Sequence, residues 1–167
     1  MTTTSAAVAE TMPCSGMAGH DLLNGSIGRD KLIGGAGRDV LKGGKGADIL
    51  NGGRGHDKMD AGTDSHVDVF EFNAIRESGR SFNTSDQITS FDSGEDIIDL
   101  NGIDANANRS GNQAVDVAQG RGAYSAWTLD KGNPSVPVRV DNDGDGRHDF
   151  EIMVKGSSTV TVDDVIL

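Results

Sequence analysis

Aromatic side chains make up only 4% of this 167-residue chain, and hydrophobic residues 35%, which places it close to compositions that stay disordered without help. Something must stand in for a large apolar core. Cysteine is almost missing: the single Cys14 excludes an intrachain disulfide and a thiolate zinc cluster. It reads as a free thiol in a flexible N-terminal segment, residues 1–15. No apolar run is long enough to cross a bilayer. The opening "MTTTSAAVAETMPCS" has neither a basic start nor an apolar stretch of about seven residues, so it reads as neither a cleaved secretory signal nor a lipid-attachment site. Positive charge is short as well. With 15 Lys+Arg against 26 Asp+Glu the net charge is −11, which argues against nucleic acid and anionic membranes and makes cations the natural partners. The length allows one domain, or a small repeat region fused to one capping domain.

Glycine is the abundant residue, 24 in all, and much of it is periodic. From Gly16 the chain runs through five nine-residue units without a gap: "GMAGHDLLN", "GSIGRDKLI", "GGAGRDVLK", "GGKGADILN" and "GGRGHDKMD". Position four is always Gly (Gly19, Gly28, Gly37, Gly46, Gly55) and position six always Asp (Asp21, Asp30, Asp39, Asp48, Asp57). Position eight is apolar (Leu23, Leu32, Leu41, Leu50, Met59). A sixth unit, "AGTDSHVDVF", carries a two-residue insertion and puts Asp68 and Phe70 in those roles. A solvated linker would not hold an apolar residue at a fixed period.

Glycine permits tight turns of positive φ and lets carbonyls approach a ligand without an intervening side chain. Six residues then make a turn, and the remaining x-apolar-x makes a short strand with one side chain inward. Units n and n+2 stack as parallel strands about 4.8 Å apart, so alternate units belong to opposite sheets of a flattened coil. Leu23, Leu41 and Met59 are expected to line one sheet, and Leu32, Leu50 and Phe70 the other. The same stacking aligns Asp21, Asp39 and Asp57 on one edge and Asp30, Asp48 and Asp68 on the other, where their repulsion opposes folding. A hard divalent cation between turns removes the conflict. Calcium accepts six to eight oxygens at roughly 2.3–2.6 Å in irregular geometry, whereas magnesium demands a tight octahedron and zinc prefers His or Cys.

These units resemble the calcium-binding nonapeptide of the RTX family, G-G-x-G-x-D-x-apolar-x. The resemblance covers residues 16–60 and implies an all-β fold: a parallel β-roll over 16–70, then a β-sandwich-like C-terminal cap over 71–167. It also implies several calcium ions. Each would be held by the carbonyls of positions one and three and the Asp of one unit, and by the carbonyls of positions two and four and the Asp two units on. Carried over, Gly34, Ala36 and Asp39 face Gly53, Gly55 and Asp57. The same correspondence names Gly43 and Lys45 at positions one and three, and Gly35, Gly37, Gly44 and Gly46 at positions two and four. Met17 and Ser26 depart from the pattern at position two.

Beyond residue 66 lie all the aromatic residues, and the runs "VDVFEF", "DQITSF", "DIIDL", "AYSAWTL", "VPVRV", "FEIMV" and "TVTV" read as short strands of an all-β cap. The segment "DQITSFDSGEDIIDLNGID" resembles the one following the repeats in the C-terminal domain of serralysin-type proteases and in mannuronan epimerase modules. Ser90 stands where that segment often has Asp. Asp86 and Asp96 read either as calcium ligands at the coil's end or as strand caps. In "DNDGDGRHD", Asp141, Asp143, Asp145 and Asp149 fall at loop positions 1, 3, 5 and 9 of an EF-hand-like loop, without its closing Glu. A polar hairpin turn and a weak calcium loop both fit. The C-terminal Asp164-Val165-Ile166-Leu167 resembles an uncleaved type I secretion signal; an ordinary final strand is the other reading.

The four histidines never form H-E-x-x-H, and no G-x-S-x-G is present, so neither a zinc protease nor a serine hydrolase site is encoded by a known motif. His20 and His56 occupy the variable fifth repeat position and are expected to face solvent. The expected function is that of a secreted, monomeric, non-catalytic calcium-binding protein, or a module of a larger exported enzyme, delivered by type I machinery and folded by extracellular calcium. One alternative is an accessory module that binds acidic, alginate-like polysaccharide through Arg29, Lys31, Arg38, Lys42, Lys45, Arg54 and Lys58. Another is an enzyme with an unrecognised site.

Overall fold

A computed structural model describes residues 4–6, 13–81, 83–103, 116–117, 125–128, 135–156 and 159–166. In chain order the strands are β1 (Thr4–Ala6), β2 (Pro13–Ser15), β3 (Ala18–Gly19), β4 (Leu22–Ile27), β5 (Lys31–Gly37), β6 (Val40–Lys45), β7 (Ile49–Gly55) and β8 (Lys58–Gly62). They continue as β9 (Val69–Glu71), β10 (Asp86–Thr89), β11 (Ile97–Asp99), β12 (Asp116–Val117), β13 (Ser125–Thr128), β14 (Ser135–Val140), β15 (Phe150–Lys155) and β16 (Val165–Ile166). Among the described residues the only helix is a 3-10 turn at Val162–Asp164.

Two sheets form, in the orders β1-β4-β6-β8-β10-β15-β14-β13-β12 and β16-β11-β9-β7-β5-β2, with β3 also on β5. Within the repeats every pairing is parallel and joins units two apart, because a nine-residue turn-plus-strand carries the chain to the opposite sheet. Leu23 pairs with Leu41 and Leu41 with Met59, while Leu32 pairs with Leu50 and Leu50 with Phe70. All six are buried between the sheets. The expected columns are therefore present.

The columns run on past both ends of the repeats. At the N-terminal end Cys14 pairs with Leu32 and is buried. This corrects the placement of that thiol in a flexible head: nine residues before Leu23, it occupies the inward position of a further strand. At the other end Ile88 pairs with Met59, and Ile98 with Phe70, so β10 and β11 extend the coil rather than opening a new sheet. The first sheet then takes up β15 in parallel and β14 and β13 in antiparallel order. Here the core becomes conventional: Val136, Val138, Val140, Ile152 and Val154 are buried, and Phe72 meets Phe150 edge-on at 5.3 Å. The run "TVTV" is not a strand. The Asp164 carboxylate accepts the Thr161 N–H at 2.7 Å, which turns the chain into the 3-10 segment, and β16 follows. Phe82, Tyr124 and Leu167 lie outside the described residues.

Candidate metal centre

The turns of the coil form its two edges, and the position-six aspartates form a ladder on each. On one edge the Asp21 N–H donates to Asp39 Oδ1 at 2.7 Å, Asp39 N–H to Asp57 Oδ1 at 2.8 Å, and Asp57 N–H to Asp86 Oδ1 at 2.8 Å. On the other edge Asp30 N–H donates to Asp48 Oδ1 at 2.8 Å, Asp48 N–H to Asp68 Oδ1 at 2.7 Å, and Asp68 N–H to Asp96 Oδ1 at 3.0 Å. Each aspartate carbonyl also accepts the N–H that follows the next rung, as in Lys58 N–H to Asp39 O at 2.9 Å. One carboxylate oxygen each of Asp39, Asp48, Asp57, Asp68, Asp86 and Asp96 is thus committed to the backbone. The insertion in the sixth unit is absorbed without breaking the ladder.

On four of these residues the other oxygen is not committed. Oδ2 of Asp39, Asp48, Asp57 and Asp86 is buried with no hydrogen-bond partner. A buried carboxylate oxygen in this state is costly unless a cation or a proton accompanies it. The glycines show what stands beside it. A Cβ on Gly34 would lie 2.5 Å from the Gly52 carbonyl oxygen and 2.7 Å from Asp39 Oδ2. On Gly43 it would lie 2.6 Å from the Ala61 carbonyl and 2.7 Å from Asp48 Oδ2. Gly16 and Gly25 sit in the same way against the carbonyls of Gly34 and Gly43. Position one is therefore a cradle that joins an aspartate of one turn to a carbonyl two units on, and only hydrogen fits on its Cα.

The remaining turn residues named from sequence fall into register as well. Gly35 pairs with Gly53, Ala36 with Arg54, Gly37 with Gly55, and Gly44 with Gly62. A Cβ on Gly37 would overlap the Gly19 carbonyl, so this position requires glycine for the close approach and for its φ of 148°. The Lys45 carbonyl accepts the Gly28 N–H at 2.8 Å, and Gly46 N–H donates to Asp64 Oδ2 at 2.9 Å. Asp64 was not singled out in the sequence, although an acid at the glycine position of the sixth unit is a visible departure. His20 is exposed and accepts the Arg38 N–H; His56 is half-buried, between Arg38 and Gln87.

Burial pushes the ladder carboxyls up: Asp48 to about 6, Asp57 and Asp68 to about 7, and Asp86 to about 9. The amide donated from the preceding rung opposes this, and neighbouring carboxylates, including Glu77 for Asp57 and Asp86, reinforce it. The donors on both edges are carboxylates and carbonyls, an all-oxygen set that suits a hard cation such as calcium.

The two ladders end differently. Asp96 accepts Asp68 N–H on Oδ1 and Asp92 N–H on Oδ2 at 2.9 Å, so the protein itself satisfies this carboxylate. That favours the strand-cap reading of Asp96 over the ligand reading, while Asp86 keeps an unpartnered oxygen. In the hairpin loop, ligand atoms of Asp141, Asp143 and Asp149 come within 4.8 Å of one another, and Asp145 stands outside the group. Asp141 accepts Gly144 and Gly146 N–H, and Asp149 pairs with Arg80 at 2.6 Å. The loop is thus already satisfied as a polar turn.

Fold and edges together define a calcium-binding module of the parallel β-roll type. The chain belongs to the family of peptidase M10 serralysin C-terminal domains, whose sequence pattern matches residues 14–167. Among solved structures it is similar to the AlgE6R3 subunit of the Azotobacter vinelandii mannuronan C5-epimerase, with TM-score 0.63 and 26% identity over 90% of this chain and 78% of that one. The AlgE6R2 subunit of the same enzyme shares the fold with TM-score 0.53 and 24% identity, over 90% of this chain and 91% of that one. No curated protein matches the chain. The matches are to C-terminal and repeat modules of a protease and an epimerase rather than to catalytic domains.

Proposed function

We propose that the chain is a secreted, non-catalytic calcium-binding protein or module that folds on meeting extracellular calcium, and that this folding supports its export and stability. The observation that carries the reading is the pair of aspartate ladders, which leave Oδ2 of Asp39 on one edge and of Asp48 on the other buried and unpartnered against a carbonyl across a glycine cradle. Asp21, Asp30, Asp39, Asp48, Asp57 and Asp68 with the carbonyls of the adjoining turns would hold the ions, which supply positive charge where the fold buries negative charge. At low calcium the ionised ladders oppose folding and the chain stays exportable, with its C-terminal segment open to type I secretion machinery. Outside, an ion present at about 100 times its Kd adds about 2.7 kcal/mol per independent site. Circular dichroism during a calcium titration tests this. A gain of β-structure on adding calcium is expected, and equal β-content in excess chelator overturns the reading.

A second reading, binding of acidic polysaccharide, is favoured by one surface. A groove of about 330 Å³ on the first sheet is lined by Lys42, Lys58 and Lys155 with Gln87 and Thr89, three cations against the one acid, Asp60. Of the other basic candidates, Lys31 pairs with Glu71 and Arg38 contacts His56. Mannuronan is named in the enzyme to which the AlgE6R3 subunit belongs. Low-salt binding to an alginate-like polymer that is lost in a Lys42→Glu, Lys58→Glu double variant is the expected result; no binding by the wild-type protein removes the reading.

A further inference from the structure

The second sheet carries a cavity that neither the aspartate ladders nor the lysine groove uses. It holds about 380 Å³, and its lining includes Lys31, Asn51, Arg54, Glu71, Asn73 and Glu77. Small-molecule sites run from about 300 to 1,000 Å³, so there is room for a ligand of modest size. Side chains alternate along β7, and Leu50 points inward, so Asn51 faces away from the core beside its β5 partner Ile33. An outward residue of a two-sheet coil is ordinarily wet. Asn51 is nevertheless only 6% exposed, because Asn73 and Glu77, from the turn after β9, stand around the same cavity. Among the described residues its side-chain amide has no hydrogen-bond partner. A buried amide in this state is costly, and the cavity is the direction from which a partner can come.

The charges around the cavity balance. Lys31 is taken up by Glu71 at 2.9 Å. Glu77 accepts the Asn73 N–H on Oε2 at 2.8 Å, and Arg54 forms no ion pair among the described residues. Burial pushes the Glu77 carboxyl up, and Arg54 stands close enough to oppose that rise. Two cations in the lining disfavour a metal ion, and two carboxylates disfavour an anion. What remains unengaged is a guanidinium that only donates, a carboxylate oxygen that only accepts and an amide that does both. Hydroxyl groups, each a donor and an acceptor, answer all three.

We propose that this cavity binds one residue of a neutral sugar, with Asn51 and Arg54 donating to its hydroxyl oxygens and Glu77 accepting from a hydroxyl. The ligand differs in charge from the acidic polymer considered for the lysine groove, and the site lies on the other sheet. Among the described residues no aromatic ring lines the cavity, so there is no stacking face and affinity rests on hydrogen bonds, in the millimolar range.

The test is a titration of the intact, nitrogen-15-labelled chain in calcium with glucose, galactose and mannose, and separately with neutral dextran and mannan, followed by NMR. Saturable shifts of the Asn51 side-chain amide and the Arg54 Nε–H are expected. Shifts with the free sugars alone assign the cavity to a monosaccharide; shifts with the polymers assign it to a residue within a chain. Arg54→Ala alters an exposed side chain and should weaken binding at least about tenfold, and Asn51→Ala, which removes no existing hydrogen bond, should do the same. No saturable shift with any of these probes, shifts with alginate alone, or wild-type affinity in either variant overturns the proposal.

Discussion

The repeat roll and the cap share two sheets but are held together by different means. Each roll strand contributes one large inward side chain, such as Leu32 or Leu50, and its edges carry carboxylate oxygens, on Asp39, Asp48 and Asp57, that nothing among the described residues satisfies. In the cap, β14 and β15 bury several apolar residues apiece around Phe72 and Phe150, and the buried acids have partners: Glu151 with Arg139 at 2.7 Å, Asp149 with Arg80, and Asp164 with Ser93, Gly94 and Thr161. A core of ordinary density therefore goes with internal neutralisation. A thin core goes with charge left for an outside ion, so one molecule joins a packing-driven fold to an ion-driven one.

The sharpest way to separate the two is to damage each by its own means. Phe150→Ala should destabilise the calcium-loaded protein by about 3–5 kcal/mol in denaturant melts, because it removes a fully buried ring. Gly34→Ala should instead act through calcium. Its Cβ fills the space between Asp39 Oδ2 and the Gly52 carbonyl, so the calcium midpoint should rise at least about tenfold, or about 1.4 kcal/mol. If Gly34→Ala leaves that midpoint unchanged, the cradle is not an ion site.

Acid should reverse the roll's dependence. The folded-state pKa values of Asp48, Asp57, Asp68 and Asp86 lie at about 6, 7, 7 and 9, above the ordinary value of 3.8. For a raised carboxyl, stability is fully present below the unfolded pKa and is lost as pH rises through the folded value. The calcium-free chain should hence hold more β-structure near pH 4 than at pH 8, with the loss setting in near the ordinary carboxylate value of 3.8 and complete by about pH 9. In calcium, protons compete with the ion and the calcium midpoint should rise on acidification. Circular dichroism at both pH values checks this; a calcium-free chain that is less folded in acid contradicts it.

The smallest expected effect concerns the two units that depart from the repeat. Position two needs a left-handed backbone, supplied by Gly35 at φ 105° and Gly44 at φ 111°, but Met17 and Ser26 are both held at φ 76°. A non-glycine residue there costs about 1–2 kcal/mol. Met17→Gly should relieve part of that strain, offset by the extra chain entropy of glycine, and raise stability in calcium by about 1 kcal/mol or less. A loss of stability would show that the exposed Met17 side chain contributes something the backbone argument omits.

Most of the roll was legible in the sequence because a fixed period dictates which residues stack: once the unit is nine, Leu41 must lie on Leu23 and Asp39 beside Asp21. Reading stopped where the period changed carrier. Asp86 follows Asp57 by 29 positions instead of 18, and nothing in the intervening segment shows that its ends return to the same edge. Cys14 keeps the period without the glycine or aspartate that marks it, so only its spacing from Leu23 betrays its place. "TVTV" alternates like a strand, but the Asp164 carboxylate competes for the Thr161 amide and hydroxyl and wins. In the hairpin loop, spacing grouped four aspartates, whereas the folded loop turns Asp145 aside to accept the Arg147 N–H.

Hydrogen exchange read by region, in calcium and in chelator, puts the contrast between roll and cap to its most direct test. In calcium the amides around Leu23, Leu32, Leu41, Leu50 and Met59 should be protected together. In chelator at neutral pH they should exchange as an unfolded chain does. Equal protection of those five strands in both conditions would contradict an ion-driven roll.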